Sequence, residues 1–159
     1  MRGNRSSGTS PEARLFEALR SAGFQFQIGV AVSSGGVRVR PDVVFPARRL
    51  AVFVDGCFWH RCPQHGTVPQ SNKRYWETKL SGNVARDRRI DSALLQGGWA
   101  VLRAWEHEIA TNVVSEIGRV LEARVPDVDE GRVGPTSSRR HGRRKDDQPH
   151  GPRLSIGPE

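Results

Sequence analysis

The 159-residue chain has little cysteine, methionine or tyrosine, with two, one and one respectively. No apolar run approaches the roughly 20 residues that span a bilayer, and no charged-then-apolar leader opens the sequence. The expectation is a cytoplasmic, nucleoid-associated protein with no membrane contact. Two cysteines cannot build the disulfide framework of a small secreted scaffold. None is required, because one domain of ordinary length buries a sufficient core. Acidic charge is scarce as well, with 17 Asp and Glu against 25 Lys and Arg, a formal net charge of +8. Residues 126 to 159 hold seven basic and six acidic side chains, so +7 lies on the rest. Each phosphate neutralised by Lys or Arg releases condensed counterions, which favours nucleic acid as partner over a basic surface kept only for solubility.

What the chain does have is concentrated. In Val52-Phe53-Val54-Asp55-Gly56-Cys57-Phe58-Trp59-His60-Arg61-Cys62-Pro63-Gln64-His65-Gly66, an apolar strand ends in an acid. Both cysteines, two histidines and two aromatics follow it. Around this segment the patterns predict an α-β-β-β-α-α-β-α order. Thr9-Ser10-Pro11-Glu12 reads as a helix start and Gly23 as its stop. Residues 24 to 32 alternate as an amphipathic strand before the Ser33-Ser34-Gly35-Gly36 turn. Asp42 to Phe45 and Leu50 to Val54 read as central strands. Helices follow over 72–80 and 84–95, then a strand over 99–105 whose Trp99 and Trp105 read as core, and a closing helix from Ile109. This implies a mixed sheet flanked by helices on both sides. Beyond Pro126 the composition is that of a disordered, solvated tail.

The chemistry-bearing residues fall into three groups. Cys57, Cys62 and His65 form C-x4-C-x2-H, which, with no export signal, reads as metal ligation rather than a small disulfide. His107 and His60 compete for the fourth position, and spacing leaves that choice open. Asp42 and Asp55, at the mouths of neighbouring strands, are hard oxygen donors suited, with the Val54 carbonyl, to Mg²⁺. Either acid alone would read as a turn former; together, beside His60 in a basic protein, they read as a site. His60 is a candidate general acid or base. Glu12 could orient it, although a charge at a helix N-terminus explains Glu12 equally well. Phe58, Trp59 and Trp76 are candidates to stack on or wedge between bases. Arg86 and Arg89 could contact phosphates or simply form a solvated face.

Taken together, Thr9-x-Pro11-Glu12, Arg40-Pro41-Asp42, Phe53-Val54-Asp55-Gly56-Cys57-Phe58-Trp59-His60, Tyr75-Trp76, Asn83-Val84-x-Arg86-Asp87-Arg88-Arg89, Gly98-Trp99 and Trp105-Glu106-His107 resemble the very short patch repair (Vsr) DNA mismatch endonucleases. The resemblance spans about residues 1 to 122. It implies a restriction-endonuclease-like three-layer α/β/α domain over 1–125 with a central mixed sheet and a zinc-stabilised loop. It also implies Mg²⁺-dependent nicking of one strand, 5′ of the thymine, at T:G mismatches left by deamination of 5-methylcytosine. By the same resemblance Asp42 and the Val54 carbonyl hold Mg²⁺, and His60 is the general acid/base. Glu12 and Asp87 support them, and Cys57, Cys62, His65 and His107 hold Zn²⁺. Phe58, Trp59 and Trp76 wedge beside the mismatch. Asp55 departs from members with histidine there and could join the metal site. Many members also carry a further N-terminal arm across the minor groove. The implied partners are double-stranded DNA with a T:G mismatch and, by functional association, a mismatch-repair matchmaker protein and a DNA cytosine methyltransferase, with the chain acting as a monomer. The rival readings are a restriction-associated endonuclease with another target and a non-catalytic, zinc-stabilised DNA-binding module.

Overall fold

The computed structural model describes residues 10–108, 111–124 and 153–155. The elements are α1 (Pro11–Ser21), β1 (Val32–Ser34), β2 (Val37–Val39), β3 (Val43–Phe45), β4 (Leu50–Asp55), α2 (Lys73–Gln96), β5 (Ala100–Trp105), α3 (Thr111–Ala123) and β6 (Arg153–Ser155). β3 to β6 form one mixed sheet in that order, antiparallel except for the parallel β4–β5 pair, while β1 and β2 form a separate hairpin. A parallel pair needs a crossover, and α2 supplies it.

Period-two alternation sorts the sheet into two faces. Leu50 and Val52 of β4 and Ala100, Leu102 and Ala104 of β5 point one way. There they meet Leu15 and Leu19 of α1 and Val113, Ile117 and Val120 of α3. Ala51 and Val101 point the other way, against Leu94 of α2 and Val32 of the hairpin, with Val39, Phe53 and Ile90 packed alongside. The chain is therefore three layers, with α1 and α3 on one side of the sheet and α2 with the hairpin on the other. No helix among the described residues is long and apolar enough to cross a membrane.

Helix α1 begins as its sequence dictates: the Ser10 hydroxyl accepts a hydrogen bond from the Ala13 N–H, with Pro11 and Glu12 in the first turn. Other expectations need correction. Residues 24 to 31 form no strand; only Gln27 pairs, with Val44. Phe24 and Phe26 fold onto Phe45, each with ring centroids 6.2 Å apart, whereas Ile28 and Val30 are exposed. The left-handed Gly29 (φ 69°) breaks the alternation between them. The strand signal instead resolves into the β1–β2 hairpin, and β2 was not expected. The two helices expected over 72–95 are one, because a solvent-facing Gly82 costs only about 1 kcal/mol relative to Ala. Burial of Leu80, Ala93 and Leu94 outweighs that. Within the expected tail, Arg153–Ser155 instead pairs with the open edge of β5, Leu102 opposite Leu154; the other tail residues lie outside the described set.

Candidate active site

Because β3 and β4 are antiparallel with Val43 opposite Val52, Asp42 at the start of β3 and Asp55 at the end of β4 reach the same sheet edge. Asp42 is anchored at both ends. Its N–H donates to the Val52 carbonyl (3.0 Å), and its Oδ2 accepts from the Val54 N–H (2.7 Å). Burial raises its pKa above the usual carboxylate range and outweighs the Val54 hydrogen bond; the nearby charges of Glu12 and Asp55 add to the rise. A group held in this state gains from a cation beside it.

Past Gly56 the chain turns, and His60 comes back over the edge to meet α2. Its Nδ1 lies 2.6 Å from Oδ2 of Asp87 and 3.7 Å from Oδ1 of Asp55. A carboxylate only accepts, so the Nδ1–H donates to Asp87, leaving Nε2 with a free lone pair in the neutral ring. Asp42, Val54, Asp55, His60, Asp87 and Arg40 share an open cleft of about 350 Å³. Val39, Arg86 and Ile90 continue from it into a second groove of about 680 Å³ between the hairpin and α2, where Arg38 and Arg89 stand. Gly35 makes that packing possible: at φ 55° it lies so near α2 that a Cβ would sit 2.6 Å from the Ala93 carbonyl. Arg38 and Arg89 form no ion pair among the described residues, whereas Arg86 lies 3.9 Å from Asp87.

A second cluster lies on the other side of the same loop. Cys57, Cys62, His65 and His107 bring one donor atom each to within 4.8 Å of one another. The Cys57 sulfur is 3.0 Å from His107 Nδ1 and 3.9 Å from His65 Nδ1, and the Cys62 sulfur is 3.9 Å from both rings. Bonds of about 2.1 Å to nitrogen and 2.3 Å to sulfur give tetrahedral edges of roughly 3.4–3.8 Å, and the observed separations straddle that range, so two thiolates and two imidazoles here form a donor set that could hold one tetrahedral metal ion. His60 lies apart from this group. Burial, then Cys62 and Glu106, pushes the Cys57 thiol up to about 12, a cost that cation binding removes. Gly66 closes the loop, where a Cβ would stand 2.5 Å from the Cys62 carbonyl oxygen.

Between Cys57 and His60 in the chain, Phe58 and Trp59 pack against Trp76 of α2. Phe58, Trp59 and Trp76 stand edge to face or tilted with centroids 5.1–6.1 Å apart, and Tyr75 joins at 5.3 Å from Trp76. Trp59 is 45% and Tyr75 57% exposed, an apolar ridge open to solvent. Asn83 of α2 ties the ridge down through a hydrogen bond to the Trp59 carbonyl (3.2 Å).

Comparison with known proteins places this chain in a family. The model of the DNA mismatch endonuclease Vsr matches residues 1–64. The type II nicking enzyme V.NaeI of Lentzea aerocolonigenes is 49% identical over 118 residues, covering 74% of this chain and 71% of that one. V.XorIIP of Xanthomonas oryzae pv. oryzae, also a type II nicking enzyme, is 40% identical over 126 residues, 78% and 85% of the two chains. The DNA mismatch endonuclease Vsr of Escherichia coli is 37% identical over 107 residues, 67% and 66%. The chain belongs to the Vsr family of DNA endonucleases. The mixed α/β sheet is the restriction-endonuclease-like fold of the Vsr family.

Four polar residues at this candidate site were not anticipated from the sequence. Arg103, in the middle of β5 and 5% exposed, contacts Asp55, Asp87 and Asp91. Burial opposes its charge, but the three carboxylates outweigh that and hold it protonated more firmly than usual. The signal was a lone arginine in an otherwise apolar strand, with Asp91 one turn beyond Asp87. Glu106 accepts from the Cys57 N–H (2.8 Å) and Glu108 from the Trp105 N–H (3.0 Å). Among the described residues the other Glu108 oxygen is buried without a hydrogen-bond partner, 4.0 Å from Nε2 of His107, where a metal-ligating imidazole would use it. Trp105 is buried against Cys57 and Cys62, and Trp99 packs on the α2 side.

Proposed function

We propose that this Vsr-family chain nicks one strand of duplex DNA at a T:G mismatch, 5′ of the thymine, using Mg²⁺ in the cleft and Zn²⁺ in the cysteine–histidine cluster. The observation that carries the reading is a carboxylate and an oriented imidazole in one cleft, beside an exposed aromatic ridge. Asp42 and the Val54 carbonyl would hold Mg²⁺, which when bound supplies charge stabilisation at the scissile phosphate. Glu12 adds its negative charge near Asp42.

His60 carries the proton. With Nδ1–H fixed on Asp87, its Nε2 accepts a proton from the attacking water or returns one at the phosphate. Zn²⁺ on Cys57, Cys62, His65 and His107 would stiffen the loop that presents His60 on one side and Phe58 and Trp59 on the other. These aromatics and Trp76 wedge at the wobble pair, where opening a poorly stacked step costs less than opening a matched one. Arg86 and Arg89 line the flanking groove for phosphates. A matchmaker protein and a cytosine methyltransferase would act with the enzyme in function.

A second reading has its own support, because V.NaeI, V.XorIIP and three further relatives are named type II nicking enzymes: the nick would then depend on a restriction-type target. A duplex with a single T:G pair separates the two. The first reading requires nicking only with the mismatch and Mg²⁺; nicking of matched DNA establishes the second; binding without nicking overturns both. Asp42→Ala is expected to lower nicking by several orders of magnitude while DNA affinity is kept, since it removes a cation ligand and leaves the ridge intact. Wild-type nicking in that variant refutes the assignment.

A further inference from the structure

Arg103 poses a physical question. A buried guanidinium surrounded by carboxylates adds little stability over apolar residues of similar volume, yet here it occupies the centre of a sheet strand. Its contacts form a chain. Nε lies 2.9 and 3.0 Å from the two oxygens of Asp91, and Nη2 lies 2.9 Å from Asp91 Oδ1. The flat face of the guanidinium rests on Phe53, 4.5 Å from the ring centroid. Aromatic and fork together leave it one orientation. In that orientation Nη1 meets Asp55 at 2.8 Å and Nη2 meets Asp87 Oδ1 at 3.6 Å. Asp87 divides its oxygens: Oδ1 faces Arg103 and Oδ2 holds His60 at 2.6 Å.

We propose that Arg103 is the positioning residue of the His60–Asp87 pair, and that Asp55 is its counter-ion rather than a cation ligand. Asp91 and Phe53 fix the guanidinium, the guanidinium fixes Asp87, and Asp87 fixes the imidazole. Asp55 is only 2% exposed, and its Oδ1 lies 2.8 Å from Arg103 Nη1 and 3.7 Å from His60 Nδ1. Without Arg103 the carboxylates at 55, 87 and 91 would repel one another, and Asp87 would lose the contact that fixes its Oδ1 and so the direction in which Oδ2 holds His60. This inference rests on the proposed nicking reaction for its kinetic consequence, not for its geometry.

Arg103→Met alone leaves three uncompensated acids, so the informative variant is Arg103→Met with Asp55→Asn and Asp91→Asn, which keeps Asp87 and His60. It is expected to fold and to bind T:G duplex with wild-type affinity. Single-turnover nicking should fall about 100-fold, the scale of a small misplacement of a reacting group. The nitrogen chemical shifts of the His60 ring should lose the signature of Nδ1–H bound to carboxylate. If the triple variant does not fold, Arg103→Lys, which keeps the charge without the fork, should show both losses to a smaller degree. Wild-type nicking in a folded variant, or an unchanged His60 signature, overturns the proposal. Should the wild-type protein itself leave the duplex intact, the nicking reading falls, and the His60 spectrum alone still decides whether Arg103 holds the pair.

Discussion

The two faces of the sheet are built from the same strands and do opposite things. Toward α1 and α3 the buried cluster is twelve apolar side chains, and none of the buried charges among the described residues joins it. Toward α2 the apolar cluster has five buried members and gives way to Asp55 of β4, Arg103 of β5 and Asp87 of α2. The alternation of β4 makes the division unavoidable: Leu50, Val52 and Val54 face one layer, and Ala51, Phe53 and Asp55 the other. A residue at position 55 can be a carboxylate only because its face carries a cation. One face supplies stability. The other holds charges that would destabilise it if they were not paired with one another or, by the present reading, with bound cations.

The largest expected effect tests whether the polar side depends on zinc. Structural zinc contributes on the order of 10 kcal/mol of apparent binding energy, comparable to the whole stability of a domain, about 5–15 kcal/mol. Cys62→Ala, or a strong chelator, should lower folding yield and zinc content together. A stable, zinc-free Cys62→Ala protein would show that the loop around His60 holds itself.

Next comes the apolar face. Ile117→Ala removes a fully buried side chain from the α1/α3 layer and should cost about 2–5 kcal/mol by urea denaturation. Nicking per folded molecule should be unchanged. A parallel loss of turnover would mean that the faces are coupled and that the division of labour is false. Smaller still is the ridge. Trp59→Ala should weaken binding to mismatched duplex by roughly 1–3 kcal/mol, and matched duplex by less; equal losses on both would make the aromatics a generic contact.

The apolar face was the legible one. Capping residues and helical spacing were enough to locate α1, because Ser10, Pro11, Leu15 and Leu19 act within a few residues of one another. Strands β4 and β5 were legible for the same reason. Residues 24 to 31 misled, since alternation alone carries no information about whether a partner strand is free, and Gly29 decides the matter through its backbone. The site was legible where its residues are consecutive, from Asp55 to His65. It was opaque where the fold joins distant segments: Arg103 means little until β5 lies beside β4 under α2, and no local pattern pairs it with Asp91.

The smallest expected effect is the most discriminating, because it concerns the one acid that bridges the two roles. Folding raises the pKa of Asp42, so its ionised form is disfavoured in the native state. The sign follows directly: above the ordinary carboxylate range Asp42 subtracts from stability, and the penalty fades as pH falls through the raised value. In the ion-free protein Asp42→Asn should therefore raise the melting temperature slightly near neutral pH, since an amide oxygen can still accept from the Val54 N–H. A cation on Asp42 reverses the preference. Mg²⁺ binding between the ordinary carboxylate range and neutrality should then release a fraction of a proton, measurable by calorimetry in buffers of different ionisation heat, and the release should vanish in Asp42→Asn. Equal proton release in both proteins would move the cation away from Asp42, and the acid at the mouth of β3 would be a cost to the fold with no return at the site.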